Sequence, residues 1–127
     1  MREPDFRYLA TNGVTLRTVV QGDGPLVILL HGWPQCWYLW RHQIAPLAAA
    51  GYRVAVPDLR GFGGSSRLAA IDQYDIRTMA GDVAGLARAL GYDQFNLIGH
   101  DWGCLIACSS RRFLEQQPRK SPFGAPQ

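Results

Sequence analysis

The chain has 127 residues, a hydrophobic fraction of 47% and a net charge of +3, which is enough for one domain with a modest core. Its longest aliphatic run, Leu26 to Leu30, is far too short to cross a bilayer. Residues 1–108 hold nine arginines and nine acidic residues, so the positive excess lies in residues 109–127 and charge counting finds no basic face in the main part of the chain. We therefore expect neither a membrane nor a nucleic acid as a partner.

The first residues and the cysteines predict a cytoplasmic protein. The start, MREPDFRYLATNG, lacks the basic end and the apolar block of a secretory signal. An odd number of cysteines (Cys36, Cys104 and Cys108) without a C-x-x-C motif is typical of a reducing compartment. A metal site of His100, Cys104 and Cys108 is an alternative, but no fourth ligand is evident. We interpret the two cysteines as small core residues on one helix face and expect no metal.

The first half of the chain alternates strand and helix patterns. Residues 6–22 (FRYLATNGVTLRTVVQG) predict a hairpin that turns at Asn12-Gly13. Residues 24–32 (GPLVILLHG) form a continuous apolar run, which is typical of a strand buried on both faces. Residues 37–51 (WYLWRHQIAPLAAAG) predict a helix capped by its final glycine, in which Pro46 introduces a kink or a restart.

The second half continues the alternation. A strand ending at Pro57 is followed by a helix over residues 75–90, a third buried strand in residues 94–100 (QFNLIGH) and the start of another helix in residues 102–110. This order predicts an α/β fold, in which an N-terminal antiparallel hairpin leads into a mostly parallel sheet with flanking helices. Ligands bind beyond the carboxyl ends of such strands, where the loops HGWPQ, DLRGFGGSS and GHDWG lie.

One of these loops has the pattern of a catalytic turn. Gly99, Asp101 and Gly103 match small-x-nucleophile-x-small, with aspartate in place of serine. The glycines leave room where a strand and a helix crowd together, and the helix N-terminus stabilises an anion. A helix N-cap is the alternative role for the aspartate.

The loop HGWP follows an earlier strand, where an oxyanion-hole loop is expected, although a plain turn is its alternative. Together the loops would direct the backbone N–H groups of Trp33 and Trp102 at one oxygen.

These motifs resemble the α/β-hydrolase fold and, within it, the epoxide hydrolases. The likeness runs from about Tyr8 to Cys108. The matching residues are His31-Gly32-Trp33-Pro34, WYLWRHQ (37–43), DLRGFGGS (58–65) and Gly99-His100-Asp101-Trp102-Gly103.

The resemblance implies a two-step reaction without a cofactor. Asp101 attacks an epoxide carbon and forms an alkyl-enzyme ester, which water activated by a histidine–acid pair then cleaves. Trp33 and Trp102 supply the oxyanion hole, Trp33, Pro34 and Trp102 contact the substrate, and the bond between Trp33 and Pro34 is cis. A serine at position 101 would give an ether, which activated water cannot readily cleave.

The remaining polar and aromatic residues of the motifs have structural interpretations. We expect Asp58 and Arg60 to form an ion pair that braces a structural turn in residues 60–66. We expect His31 and His100 to form local hydrogen bonds. We expect His42 to lie on a helix, either at the surface or directly behind the residues that contact the substrate. Four aromatic residues could line a pocket: Trp33, Trp37, Tyr38 and Trp40. For Trp37 and Trp40, core packing is at least as good an explanation.

The chain also departs from the family it resembles. The family's catalytic acid, its histidine base and a tyrosine-bearing cap lie downstream of residue 101, and the chain ends before them. We therefore expect residues 1–108 to be the N-terminal part of an α/β-hydrolase domain, without the C-terminal strands and the cap, and with an exposed apolar edge at its last strand. Residues 109–127 read as an atypical, basic, proline-rich and poorly ordered tail, which suggests a truncated or frame-shifted product or a natural short isoform.

These departures predict epoxide hydrolase chemistry with impaired turnover. One alternative is a haloalkane or haloacetate dehalogenase, which uses the same aspartate. Within the family, Trp33 argues against a haloalkane dehalogenase, and Trp102 argues against a haloacetate dehalogenase. The other alternative is a catalytically silent fragment.

Overall fold

The computed structural model describes residues 5–33, 35–67 and 74–107. Its elements are β1 (Phe6–Thr11), β2 (Val14–Gln21), β3 (Leu26–Leu30), a 3-10 helix (Trp37–Trp40), α1 (Ile44–Ala49), β4 (Arg53–Pro57), α2 (Ile76–Ala89) and β5 (Asn96–Gly99). Residues 102–107 are helical. No helix in these ranges has the length and apolar character needed to span a bilayer. Pro34, Cys108 and the predicted tail (109–127) lie outside the described residues.

The five strands form one sheet with the order β1-β2-β4-β3-β5. β1 and β2 are antiparallel and turn at Asn12 (φ +49°) and Gly13 (φ +82°), as the sequence predicts. β2 pairs with β4 in antiparallel fashion, and β3 is parallel to both β4 and β5. The predicted hairpin leading into a parallel region is confirmed. The three loops after β3, β4 and β5 therefore leave the same edge of the sheet.

The sheet is packed on both faces at its centre, which is why β3 is a continuous apolar run. Alternate residues of a strand point to opposite faces. Leu26, Ile28 and Leu30 pack with α2 and Ile106 on one face, whereas Val27 and Leu29 pack with Trp37 and the start of α1 on the other.

The helix predicted over residues 37–51 is instead two short helices. Pro46 is the third residue of α1, where its missing N–H costs nothing because the first N–H groups of a helix have no partner within it. A helix continued backwards would need that N–H and would clash with the carbonyl four residues earlier. His42 therefore lies exposed in the intervening turn, at the surface as predicted but not on a helix.

The helix predicted over residues 75–90 is confirmed as α2. The carboxylate of Asp75 accepts a hydrogen bond from the Thr78 N–H at 2.7 Å and caps the helix, and Gly91 follows its end with φ +88°. That hydrogen bond holds the pKa of Asp75 below its ordinary value.

The interpretation of β5 as a buried strand is wrong. Its residues alternate between exposed and half-buried, and Ile98 keeps 43% of its surface exposed. The physical reason is position, because among the described residues β5 is the last strand of the sheet and pairs with β3 alone. The predicted exposed apolar edge is confirmed.

Candidate functional site

Asp101 lies at the tip of a sharp turn between β5 and the helical residues 102–107. Its φ is +59°, in the left-handed region that non-glycine residues rarely adopt. The N–H of His100 donates to the carbonyl of Leu30 at 3.1 Å, which fastens the turn to the end of β3. The predicted order of strand, turn and helix is confirmed.

Three glycines let the chain pass closely around this turn. A Cβ on Gly99 would overlap the carbonyl oxygen of Gly103, and a Cβ on Gly103 would overlap that of Leu30. A Cβ on Gly32, in the loop after β3, would lie 2.5 Å from the Cβ of Asp101. The two loops are therefore in contact, and only residues without side chains fit between them.

The Asp101 carboxylate is directed at the loop after β3 and not at the helix that follows it. Its Oδ2 accepts a hydrogen bond from the backbone N–H of Trp33 at 3.3 Å. An N-cap would instead accept from an N–H two or three residues further along. Trp102 begins the helical residues, so its own N–H belongs to the first turn, where N–H groups lack helical partners.

The loop carrying Trp33 is held by a small hydrogen-bond network. Gln35 bonds Gly32 twice: its Oε1 accepts from the Gly32 N–H at 3.1 Å and its N–H donates to the Gly32 carbonyl at 2.8 Å. His31 is fully buried, and its Nε2 accepts from the Leu59 N–H at 2.9 Å. Its Nδ1 must then carry the proton, which it donates to the Gly32 carbonyl at 2.8 Å.

Burial lowers the pKa of His31 and so favours this neutral form. The local hydrogen bond predicted for His31 is confirmed at Gly32, whereas the bond from the Leu59 N–H joins residues far apart in the chain. His100 is exposed, and its backbone N–H and carbonyl form its hydrogen bonds to Leu30 and Gly103. Pro34, with its predicted cis bond, is outside the described residues.

The predicted ion pair between Asp58 and Arg60 is wrong. Asp58 is buried and pairs with Arg17 at 2.8 Å. Arg60 turns towards α2 and binds both carboxylate oxygens of Asp82 at 2.7 Å. Asp82 is buried in that helix and needs a counter-charge, which sequence spacing does not reveal. Burial raises the pKa of Asp82, and the hydrogen bonds from Arg60 oppose that effect.

The loop after β4 is a structural turn, as predicted. Its backbone wraps around the carboxylate of Asp58, which accepts from the Gly64 N–H at 3.0 Å and the Trp37 N–H at 2.8 Å. Gly63 has φ +51°, and a side chain there would overlap the Asp58 carboxylate.

A cavity of about 430 Å³ is bounded by Gly32, Trp33 and Trp102, which adjoin Asp101, although Asp101 itself does not line it. Trp33 and Trp102, the predicted substrate contacts, both line it and remain 65% and 45% exposed. The other lining residues are Gly32, Leu59, Gly61, Phe62, Arg67, Tyr74 and Met79. Sequence reasoning missed the side chains in this list. The predicted ligand loop after β4 contains Leu59 and Phe62 and could have indicated those two, but nothing local distinguishes Met79 from a core position.

The predictions of core packing for Trp37, Trp40 and Cys104 have different outcomes. Trp37 packs in the core, 5.6 Å from Phe6 between ring centroids, and Trp40 is partly buried against the same cluster, so core packing is confirmed for both. Cys104 is exposed and donates to the Gly99 carbonyl, so its interpretation as a core residue is wrong. It lies on a face of residues 102–107 that no described element covers. Within the described ranges, no group of three or more potential metal ligands occurs.

Comparisons with known proteins place the chain among recognisable relatives. Residues 25–109 match the model of a family described as alpha/beta hydrolase fold. Epoxide hydrolase A of Mycobacterium tuberculosis is 49% identical over 108 residues, which are 84% of this chain and 34% of that protein. Epoxide hydrolase 2 of Siraitia grosvenorii is 42% identical over 107 residues, again 84% and 34%.

A solved structure gives the same result. The crystal structure of an epoxide hydrolase from Vigna radiata is 40% identical, with a TM-score of 0.85 over 89% of this chain and 35% of that one. The resemblance to the epoxide hydrolases and the fold predicted from the sequence are confirmed. The chain spans about a third of the length of these relatives.

Proposed function

Because this chain belongs to the α/β-hydrolase fold family, we propose that it carries the nucleophile of an epoxide hydrolase, which adds water to a small-molecule epoxide to give a vicinal diol. The observation that carries the proposal is the Asp101 carboxylate at a strained turn, with the Trp33 N–H on one of its oxygens and an apolar cavity beside it. The names of the relatives at 42–49% identity favour this activity over a dehalogenase.

The first step of the proposed reaction forms the ester. Oδ2 of Asp101 is held by the Trp33 N–H, which leaves Oδ1 to attack an epoxide carbon. A new bond joins Oδ1 to that carbon, the carbon–oxygen bond of the strained ring breaks, and the ring oxygen leaves with the electron pair and takes up a proton from solvent water. Asp101 therefore acts as the nucleophile at the tip of a nucleophile elbow.

The second step cleaves the ester at the carboxyl carbon of Asp101. Water adds there with loss of one proton to solvent, and negative charge develops on Oδ2, the oxygen that already faces the Trp33 N–H. The bond from the carboxyl carbon to Oδ1 then breaks, and Oδ1 leaves with the electron pair and takes up a proton from solvent water as a hydroxyl of the diol. The oxygen of the added water stays in the Asp101 carboxyl group, which loses its remaining proton. This N–H and that of Trp102 serve as the oxyanion hole, and the 3.3 Å hydrogen bond tightens as the charge develops. His31, Gly32, Gly99, His100 and Gly103 shape the two loops.

The water-activating histidine and its acid are not supplied by the described residues. His31 has both ring nitrogens engaged in hydrogen bonds. His42 and His100 are both exposed, and neither lines the cavity. We therefore expect the 127-residue chain to form the ester faster than it hydrolyses it.

The test is to incubate the chain with styrene oxide and to follow intact mass. One adduct per chain, mapped to Asp101 by peptide sequencing, is the expected result. Asp101→Asn should prevent the adduct, whereas Asp93→Asn, the same change at an exposed aspartate, should not. No adduct on a folded sample would indicate a silent fragment, and chloride release from a haloalkane or haloacetate would indicate a dehalogenase.

We also propose that the protein is cytoplasmic and that residues 1–108 form the hydrolase part of the chain, with residues 109–127 as a poorly ordered tail. The free thiols of Cys36 and Cys104 support a reducing compartment. Cell fractionation tests the location, and limited proteolysis tests the boundary near residue 108.

A further inference from the structure

In the part of the chain that the structure describes, the cavity beside Asp101 has one charged side chain in a largely apolar wall. Its wall consists mainly of apolar and aromatic side chains, among them Trp33, Phe62 and Met79. Arg67 is the one charged side chain in this wall, as far as the described residues show. The cavity therefore presents a cation to whatever occupies it.

The guanidinium of Arg67 is held in place without being neutralised. One terminal nitrogen donates to the Gly61 carbonyl at 2.7 Å and the other to the Gly63 carbonyl at 2.9 Å. Carbonyl acceptors orient the group but leave its full positive charge. A guanidinium has five N–H donors, so three remain available to a ligand.

The neighbouring arginines do not share this property. Arg17 is paired with Asp58, and Arg60 is paired with Asp82. None of the carboxylates in the described ranges forms an ion pair with Arg67. The loop after β4 thus keeps one oriented, uncompensated cation at the cavity, and carboxylates are among the anionic groups whose geometry such a fork matches.

We propose that this site prefers compact epoxides that carry a carboxylate, with Arg67 binding the carboxylate while the epoxide meets Asp101; the proposal rests on the function proposed above. The volume of about 430 Å³ lies in the lower part of the range for small-molecule sites, so both groups must belong to a short molecule. An anionic substrate is repelled by the Asp101 carboxylate, and Arg67 offsets that repulsion. The apolar wall accommodates the carbon skeleton between the two polar ends.

The reaction test compares two epoxides with the same skeleton, 4-(oxiran-2-yl)benzoate and its primary amide. The rate of adduct formation on Asp101 is measured for each by intact mass, and the ratio of the two rates is the readout. Arg67→Gln should lower the benzoate-to-amide ratio by about three- to fivefold, the size of an ion pair at an exposed site. Arg67→Glu should lower it further because like charges then face each other.

The matched control is Arg88→Gln, which removes the same charge from an exposed position near the end of α2. It should leave the ratio unchanged, because Arg88 does not line the cavity. A ratio that stays the same in Arg67→Gln and Arg67→Glu, or that falls equally in Arg88→Gln, would overturn the proposal.

A binding test separates this proposal from the proposed function. Affinity for 4-ethylbenzoate and 4-ethylbenzamide, which cannot alkylate, is measured by tryptophan fluorescence, since Trp33 and Trp102 line the cavity. Tighter binding of the benzoate that is lost in Arg67→Gln supports the recognition role even if no epoxide labels Asp101. Equal binding of both compounds to the unsubstituted chain would overturn it even if Asp101 is labelled.

Discussion

Replacing Gly32 by alanine should disable Asp101 with little effect on the rest of the fold. Gly32 has no positive φ, so its backbone accepts alanine. The added Cβ, however, would lie 2.5 Å from the Cβ and 2.8 Å from Oδ2 of Asp101, and 2.9 Å from the His100 carbonyl oxygen. Carbon atoms in contact are separated by about 3.5–4.0 Å, so one loop must move by about 1 Å.

The size of the effect follows from that displacement. Overpacking of this kind costs about 1–3 kcal/mol of unfolding free energy. A misplacement of about 1 Å between reacting groups lowers a rate by about a hundredfold. The Asp101 turn is the part that yields, because its φ of +59° is already strained, and the Trp33 N–H then no longer faces Oδ2.

The assay is the rate of styrene oxide labelling by intact mass, with urea unfolding measured in parallel. The matched control is Gly81→Ala in α2, whose new Cβ would meet only the amide end of Asn12, at 3.1 Å. It should label at the unsubstituted rate. Labelling of Gly32→Ala within about twofold of the unsubstituted chain would refute the argument that close contact between the two loops positions the carboxylate.

Three further perturbations test the surroundings of the site. Gln35→Leu removes the side-chain acceptor in the loop after β3 and should slow Asp101 labelling by up to about tenfold. Gln35→Glu keeps an acceptor oxygen and should restore the rate. Equal slowing in the leucine and glutamate variants would contradict a hydrogen-bonding role. Arg60→Met leaves buried Asp82 without its counter-charge and should lower the free energy of unfolding, measured with urea, by about 3–5 kcal/mol. An equal loss of unfolding free energy in the double variant Arg60→Met/Asp82→Leu would contradict an origin in the unpaired buried carboxylate. Burial holds the pKa of His31 below 6.5, so the free energy of unfolding should be level above pH 6.5 and fall as the pH drops below 6.5. The fall with decreasing pH should be weaker in His31→Gln. Greater stability of the unsubstituted chain in acid would contradict the burial of a neutral His31.

Much of the fold could be predicted because its signals are local. Asn12-Gly13 is one of the few pairs that readily adopt two consecutive positive φ values, so the hairpin follows from two residues. The start of α2 follows from the capping side chain of Asp75 and its end from Gly91. The burial of β3 follows from an apolar run that leaves no polar face.

Predictions failed where the partner of a residue is distant in the sequence. Asp58 and Arg60 are only two positions apart in the chain, yet their partners come from β2 and α2. The burial of β5 depends on its place in the sheet, and that place is at the edge. Pro46 predicts a kink or a restart, but only the packing shows that the restart divides the segment into a 3-10 helix and α1.

The sequence by itself determined which residues the proposed chemistry uses: the carboxylate of Asp101 between two glycines after one strand, and the loop with Gly32 and Trp33 after another. Such features depend on backbone conformations that short stretches of residues select. Tertiary structure alone decided the contact of Gly32 with Asp101, the alignment of the Trp33 N–H with Oδ2, and the cavity wall that includes Arg67. These depend on the parallel pairing of β3 with β4 and β5, which brings loops far apart in the chain to one edge of the sheet.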